Sequence, residues 1–278
     1  MNKASFKVTV SSEDASGASD ILAAHIGMSK GKIKDAMNKG AVWVCRGRGK
    51  RIRLRRATAQ MHQGDTLELY YDEKLLALTP PHARCISDRN HYSIWYKPAG
   101  LLTQGTNYGD HCSLTRQVEL LFNPRRPVYL IHRLDREASG LVVVAHSREA
   151  ASKLSRLFQN NQVEKRYRIE VLGDLAGKNR SGAIDLSIDG KSALTLYEVA
   201  SYDPDKKISV VDVEIKTGRL HQIRRHFTMI GFPVMGDPRY GKGNKNEKGM
   251  MLEAVSLGFT CPFLKEKMVF NLEEGNIY

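Results

Sequence analysis

The stretch VYLIHRLDREASGLVVVA, residues 128–145, decides how this chain is read. Two apolar runs, VYL and LVVVA, enclose HRLDREASG, where four charged residues and a histidine stand in a place an apolar chain could simply have turned. Short apolar runs bounded by polar residues and a glycine read as strands. The charged loop between them is therefore held still by rigid elements, and such loops are where a fold puts its functional side chains.

On either side of this loop, strands predominate and helices are interspersed. SIWYKPAGLLT reads as a strand entering a Pro-Gly turn, SLTRQVELLF as an amphipathic helix, and REAASKLSRLFQN as a helix with Leu154, Leu157 and Phe158 on one face. EKRYRIEVLG, GAIDLSI, SALTLYEVAS and ISVVDVEIKT read as strands, RLHQIRRHFTMIG as a helix, and MVFNL as one more strand. The order predicts an α+β domain over residues 91–278, built on a large, mostly antiparallel mixed sheet.

A smaller α/β module is expected over residues 1–75. Ser19 and Asp20 are placed to cap a helix through ILAAHIG that Gly27 ends, and Ser29 starts a second, SKGKIKDAMNKG, with Ile33, Ala36 and Met37 on one face. Lys30, Lys32, Lys34 and Lys39 occupy much of the other faces. The strand AVWVC, the basic run RGRGKRIRLRR and the alternating TLELYY follow. In the basic run, seven of eleven residues are cationic. Ile52 and Leu54 alternate there with Arg51, Arg53 and Arg55, which predicts a strand with one apolar and one cationic face, suited to track a phosphate backbone. Between the two domains, the paired prolines and mixed charges of residues 76–90 predict a linker.

Composition narrows the partner. Among 278 residues, Lys and Arg exceed Asp and Glu by 13, a balance that suits a polyanion such as nucleic acid. No long apolar run or signal peptide is evident, so a cytoplasmic protein with no membrane partner is expected. Cys45, Cys85, Cys112 and Cys261 are scattered without a CxxC pair, which argues for reduced thiols and against a zinc site. GxxxxGK[ST], GxGxxG, HExxH and GxSxG are all missing, so neither a metal nor a nucleotide cofactor is expected.

Five motifs occur in order: KPAGL (97–101), HRLDREASG (132–140), KRY (165–167), TGRLHQIR (217–224) and GDPRYG (236–241). In them the chain resembles the RluA-type pseudouridine synthases. The N-terminal stretch ILAAHIGMSKGKIKDAMNKGAVWV with QGDTLEL resembles the alpha-L RNA-binding module. The resemblance implies an isomerase, with structured RNA as its partner. Ribosomal RNA is favoured because the appended module commonly accompanies such enzymes, while transfer RNA is suggested by RRH after HQI. No cofactor is implied, and a monomer is the default.

The same resemblance assigns roles. Asp135 is the carboxylate that acts at the ribose, as nucleophile or as base. Tyr167 packs on the target base, and Arg224 pairs with the aspartate and keeps it ionised. Arg133 fills the stack once the nucleotide has swung out, His132 lies beside the displaced strand, and Leu252 packs on the base. Arg219 and Arg225 contact phosphate, with Lys30, Lys32, Lys34, Arg51, Arg53 and Arg55 as further RNA contacts. Ala138, Leu220 and Glu253 depart from the family pattern, and Glu253 would be out of place if it faced phosphates.

Overall fold

A computed structural model describes residues 3–14 and 17–272. It divides into two compact units, one formed up to Pro80 together with Gln104–Leu120, the other by Pro81–Thr103 and the chain from Leu121 onward. Among the described residues, no helix is long and apolar enough to cross a membrane.

In the first unit, β1 (Lys3–Thr9), β2 (Val42–Cys45), β3 (Ile52–Arg53) and β4 (Thr66–Asp72) form an antiparallel sheet in the order β1-β4-β2-β3. Helices α1 (Ala18–Ile26) and α2 (Lys30–Asn38) bury Ile21, Leu22, Ile33 and Met37 in a core shared with Val42, Leu67 and Leu69. A short α3 (Glu73–Leu76) and α4 (Leu114–Leu121) complete the helices of this part of the chain. The Ser29 hydroxyl accepts from Lys32 N at 3.4 Å and caps α2. The other expected cap does not form: α1 already starts at Ala18 after Gly17, so Ser19 and Asp20 lie inside its first turn. Gly27 does end it, at φ 71°, in the left-handed region glycine favours.

The cationic strand is corrected most. Only Ile52 and Arg53 pair as β3, and Ile52 is 56% exposed while the Arg53 side chain is 18% exposed, the reverse of the expected faces. The cause is Trp43. The guanidinium carbons of Arg51 and Arg53 each lie 4.2 Å from its ring centroid. Arg53 also donates to Gly40 O and Thr106 O and pairs with Asp110, Arg55 donates to Asn38 O and Asp110, and Arg51 reaches Asn107 Oδ1 at 2.7 Å and Glu68. These three arginines fasten residues 106–110 onto the small sheet and are not a free phosphate-tracking stripe.

The second unit is one large sheet. Its strands are β5 (Arg84–Asp88), β6 (Tyr92–Lys97), β7 (Tyr129–Leu130), β8 (Ser139–Ala145), β9 (Glu164–Leu172), β10 (Ser181–Asp185), β11 (Leu194–Asp203), β12 (Ile208–Ile215), β13 (Leu252–Thr260) and β14 (Lys267–Asn271). The main path runs β10-β11-β12-β9-β13-β8-β6-β5, with β14 on β13 and β7 on β8. Every pairing is antiparallel except β13 with β8. The segment expected as a linker thus contains an edge strand, β5, whose five mixed residues gave no alternation to read. Helices α5 (Arg148–Gln159), α6 (Leu175–Lys178) and α7 (Gln222–Met229) join the sheet. Leu154 of α5 packs with Leu141, Val143 and Leu257, which holds β8 rigid behind the charged loop.

Gly140 marks where that loop enters the sheet. It sits at φ 115°, and a Cβ there would lie 2.4 Å from both the N and the O of Ala254. Only glycine lets β8 approach β13 in the parallel register that sets Ser139 against Glu253 and Gly140 against Ala254.

Candidate active site

Three segments converge on Asp135. The KPAGL turn braces the loop that carries it: the buried Lys97 ammonium donates to the carbonyls of Pro98 at 3.0 Å, Leu101 at 2.8 Å and Ala138 at 2.6 Å. Gly100 N donates to Arg136 O at 2.7 Å, and Thr103 Oγ1 both donates to Leu134 O and accepts from Leu134 N. The peptide groups on both sides of Asp135 are therefore tied down, and its side chain is the one left to act.

The second segment is TGRLHQIR, which starts α7. Gln222 is buried, accepts from Arg219 N and Thr217 Oγ1, and donates to Leu194 O and Thr195 Oγ1, so the helix start is stitched to the β11 edge. His226, fully buried, bonds Thr195 Oγ1 and Leu186 O one turn further on. That anchorage aims Arg224, itself 2% exposed, at the loop: its Nη1 donates to Asp135 Oδ2 at 2.6 Å. The expected pair exists across 89 residues of chain.

The third segment, GDPRYG, supplies what the sequence reading left unassigned. Asp237, with no exposed side-chain surface, accepts from Arg224 Nε at 2.7 Å and Nη2 at 2.8 Å, and from the backbone N–H groups of Arg239 and Tyr240. Burial alone would raise Asp237, but the Arg224 guanidinium and the two N–H donors hold its carboxyl below the usual range. Burial likewise opposes the charge on Arg224, and the two carboxylates overcome it and lift its pKa above the ordinary value. The cation beside Asp135 is thus permanent.

Asp135 keeps one oxygen in reserve. Its side chain is 27% exposed, and Oδ1 makes no hydrogen bond among the described residues; His221 Nε2 faces it at 3.5 Å. On β9, Tyr167 is 8% exposed and lies opposite Ala254 and Val213, and Leu252 sits opposite Ile169 on the same sheet face. Burial, with the Asp135 charge adding to it, pushes the Tyr167 phenol well above its ordinary pKa, so it stays protonated.

The other expected RNA contacts have varied surroundings. His132 turns into the unit: its ring stacks on Phe158 at 4.5 Å and Nε2 accepts from Val143 N at 3.1 Å. Burial drives its pKa down to about 3, so the neutral ring braces the loop while the residue keeps part of its surface exposed. Arg225 forms a two-bond pair with Asp189, and Arg219 Nε donates to Ser192 O. Lys30 pairs with Asp20 at 2.6 Å and Lys32 lies 3.9 Å from Glu73, while Lys34 is exposed and forms no ion pair among the described residues. Arg133 is exposed with no polar partner among the described residues, as a residue that enters a nucleic acid stack must be. Glu253 is buried and accepts from Tyr96 and Ser139. Among the described residues, no group of His, Cys, Asp and Glu could hold a metal ion.

The chain is similar to known proteins. Residues 91–229 match the family model described as RNA pseudouridylate synthase. An Aquifex aeolicus protein named "Uncharacterized RNA pseudouridine synthase" is 32% identical over 90% of this chain and 87% of its own length. The "Ribosomal large subunit pseudouridine synthase D" of Zymomonas mobilis is 28% identical over 68% of each chain. The solved structure "Human RNA Pseudouridylate Synthase Domain Containing 1" shares the fold at a TM-score of 0.61 and 22% identity, covering 71% of this chain and 86% of its own.

Proposed function

This chain belongs to the RNA pseudouridylate synthase family and isomerises uridine in RNA, and from that premise we propose which of its groups do the work. Asp135 acts at the ribose through Oδ1. Breaking the bond from C1′ to N1 builds positive charge at the sugar or releases a proton from C2′, and a carboxylate beside it answers either need. Arg224 serves this step by occupying Oδ2 with its positive charge, so that Oδ1 is left to meet the substrate. The Tyr167 ring supports the freed base while it turns to present C5, with Leu252 on the same sheet face. The observation that carries this reading is the 2.6 Å bond from a buried, doubly paired Arg224 to a carboxylate whose other oxygen makes no hydrogen bond among the described residues.

The RNA is a structured one, and ribosomal RNA is the favoured target. The first unit, read as an alpha-L module, supports this with its capped basic α2 and the exposed Arg46, Arg48 and Lys50 between β2 and β3. Four free cysteines suit a reducing cytoplasm.

Asp135→Asn tests the assignment. It keeps the shape and loses the charge, so isomerisation should vanish while RNA binding stays within a few-fold of the parent. Measurable pseudouridine formation by this variant at the parent's rate would refute the role. Mapping pseudouridine in cellular RNA with and without the gene identifies the target, and a change confined to transfer RNA would reject the ribosomal one.

A further inference from the structure

His221 is the residue the reaction scheme above leaves idle. It holds a left-handed backbone, φ 52° and ψ 32°, at the N-cap of α7, a conformation that β-carbon-bearing residues adopt at a cost and that glycine adopts freely. Its side chain is 12% exposed and wedged between two partners. Nδ1 lies 2.9 Å from the Tyr240 hydroxyl, whose ring meets the imidazole edge-on at 5.7 Å, and Nε2 lies 3.5 Å from Asp135 Oδ1. Strain retained at a functional site points to a side chain that is needed there.

The two contacts fix the imidazole's proton. A carboxylate oxygen facing Nε2 favours the tautomer with the proton on that nitrogen, which leaves Nδ1 to accept from the Tyr240 hydroxyl. At 3.5 Å the contact is longer than a hydrogen bond and acts on Oδ1 through space. The distance has a chemical use. Arg224 already occupies Oδ2 with a charge-assisted bond, and a second such bond at Oδ1 would occupy the oxygen that has to meet the ribose.

We propose that His221 is a positioning residue for Asp135: fixed through Nδ1 by Tyr240, its imidazole orients Oδ1 toward the ribose without engaging it in a hydrogen bond. This rests on Asp135 being the acid that acts at the sugar. The charged and titratable groups around the ring are Asp135 from the loop, Arg224 from α7, and Asp237, Arg239 and Tyr240 from the turn beyond it. Burial, followed by the competing effects of Asp135 and of Arg224 and Arg239, leaves the imidazole below its ordinary pKa and neutral at pH 7. At lower pH its protonation places a second cation 3.5 Å from Oδ1, where it competes with the substrate for that oxygen.

Two substitutions separate this from a purely backbone role. His221→Gly relieves the left-handed conformation and removes the ring; kcat should fall on the order of 10²-fold, the scale of a misplaced reacting group, with KM within about twofold. His221→Gln offers an N–H near the position of Nε2 and cannot be protonated. It should recover most of that loss at pH 7.5, and the acid limb of its kcat profile should lie at lower pH than the parent's. A glycine variant as active as the parent, or a glutamine variant with an unmoved acid limb, overturns the proposal. If Asp135→Asn is inactive while His221→Gly is unimpaired, this inference alone fails; if Asp135→Asn is active, the assignment beneath it fails.

Discussion

Asp237 and Arg224 meet through two parallel bonds, Nε to Oδ2 at 2.7 Å and Nη2 to Oδ1 at 2.8 Å, and the Asp237 side chain has no exposed surface. A guanidinium taken this far from water needs a full counter-charge, and Asp135, partly exposed and bonded to it once, is joined in supplying it by Asp237. The pair therefore aims Arg224 before any substrate arrives, so that none of the binding energy goes into organising it.

Asp237→Asn keeps one acceptor but turns an amide N–H toward a guanidinium N–H. The unfolding free energy should fall by about 3–5 kcal/mol, the usual cost of breaking a buried ion pair from one side, and turnover should fall with it even where the variant is fully folded. Urea unfolding followed by fluorescence, with single-turnover assays below the transition, checks both. An unchanged midpoint would show that the pair is not what holds Arg224.

Much of this centre was legible in the sequence. HRLDREASG and TGRLHQIR carry the family resemblance, and that resemblance implied the pair that Asp135 and Arg224 form. Asp237 and His221 stood in quoted motifs, yet their roles depend on a third segment folding back behind α7, and no local periodicity reports that. The same limit explains Arg51, Arg53 and Arg55. A run of arginines reads as solvent-facing because charge is costly to bury, and only the fold reveals Trp43 and the carbonyls of Gly40 and Thr106 waiting for them. β1 escaped notice since its outward residues are polar and only Phe6 and Val8 pack inward.

His132 should be silent between pH 8 and 5. Its folded pKa of about 3 lies below the ordinary 6.5, so the neutral ring's contribution to stability is complete above pH 6.5 and drains away as the pH falls toward 3. The His132 ring-proton NMR resonance should not shift over the upper range, and the parent should lose stability on acidification more steeply than His132→Gln. RNA affinity of that variant should match the parent's. A large affinity loss with unchanged stability would restore His132 as an RNA contact.

The arginines of the first unit should divide by salt dependence. Arg53→Ala opens a cluster of structural bonds and should lower the melting temperature while leaving the slope of log affinity against log salt nearly as it was. Replacing Arg46, Arg48 and Lys50 by alanine removes exposed cations with no ion-pair partner among the described residues, and should flatten that slope by about 2 to 3, the value for three lost phosphate contacts. The opposite ranking would mean that the basic strand, and not the turn, follows the backbone.

Arg133 carries a sharper expectation, because it separates opening the RNA from acting on it. Its guanidinium is exposed, unpaired within the described residues, and two positions from Asp135, so it can occupy the space a uridine vacates. Extruding a stacked, paired nucleotide costs a few kcal/mol, and each 1.4 kcal/mol is a factor of ten in rate. Arg133→Ala should therefore lose about 10²-fold in kcat on a stem substrate but well under tenfold on the same uridine placed in an unpaired strand, where little stacking has to be replaced. Arg133→Lys should recover only part, since an ammonium offers the charge without the flat face. Single-turnover rates on the paired and unpaired substrates give the comparison directly, and equal losses on both would assign Arg133 to phosphate binding instead.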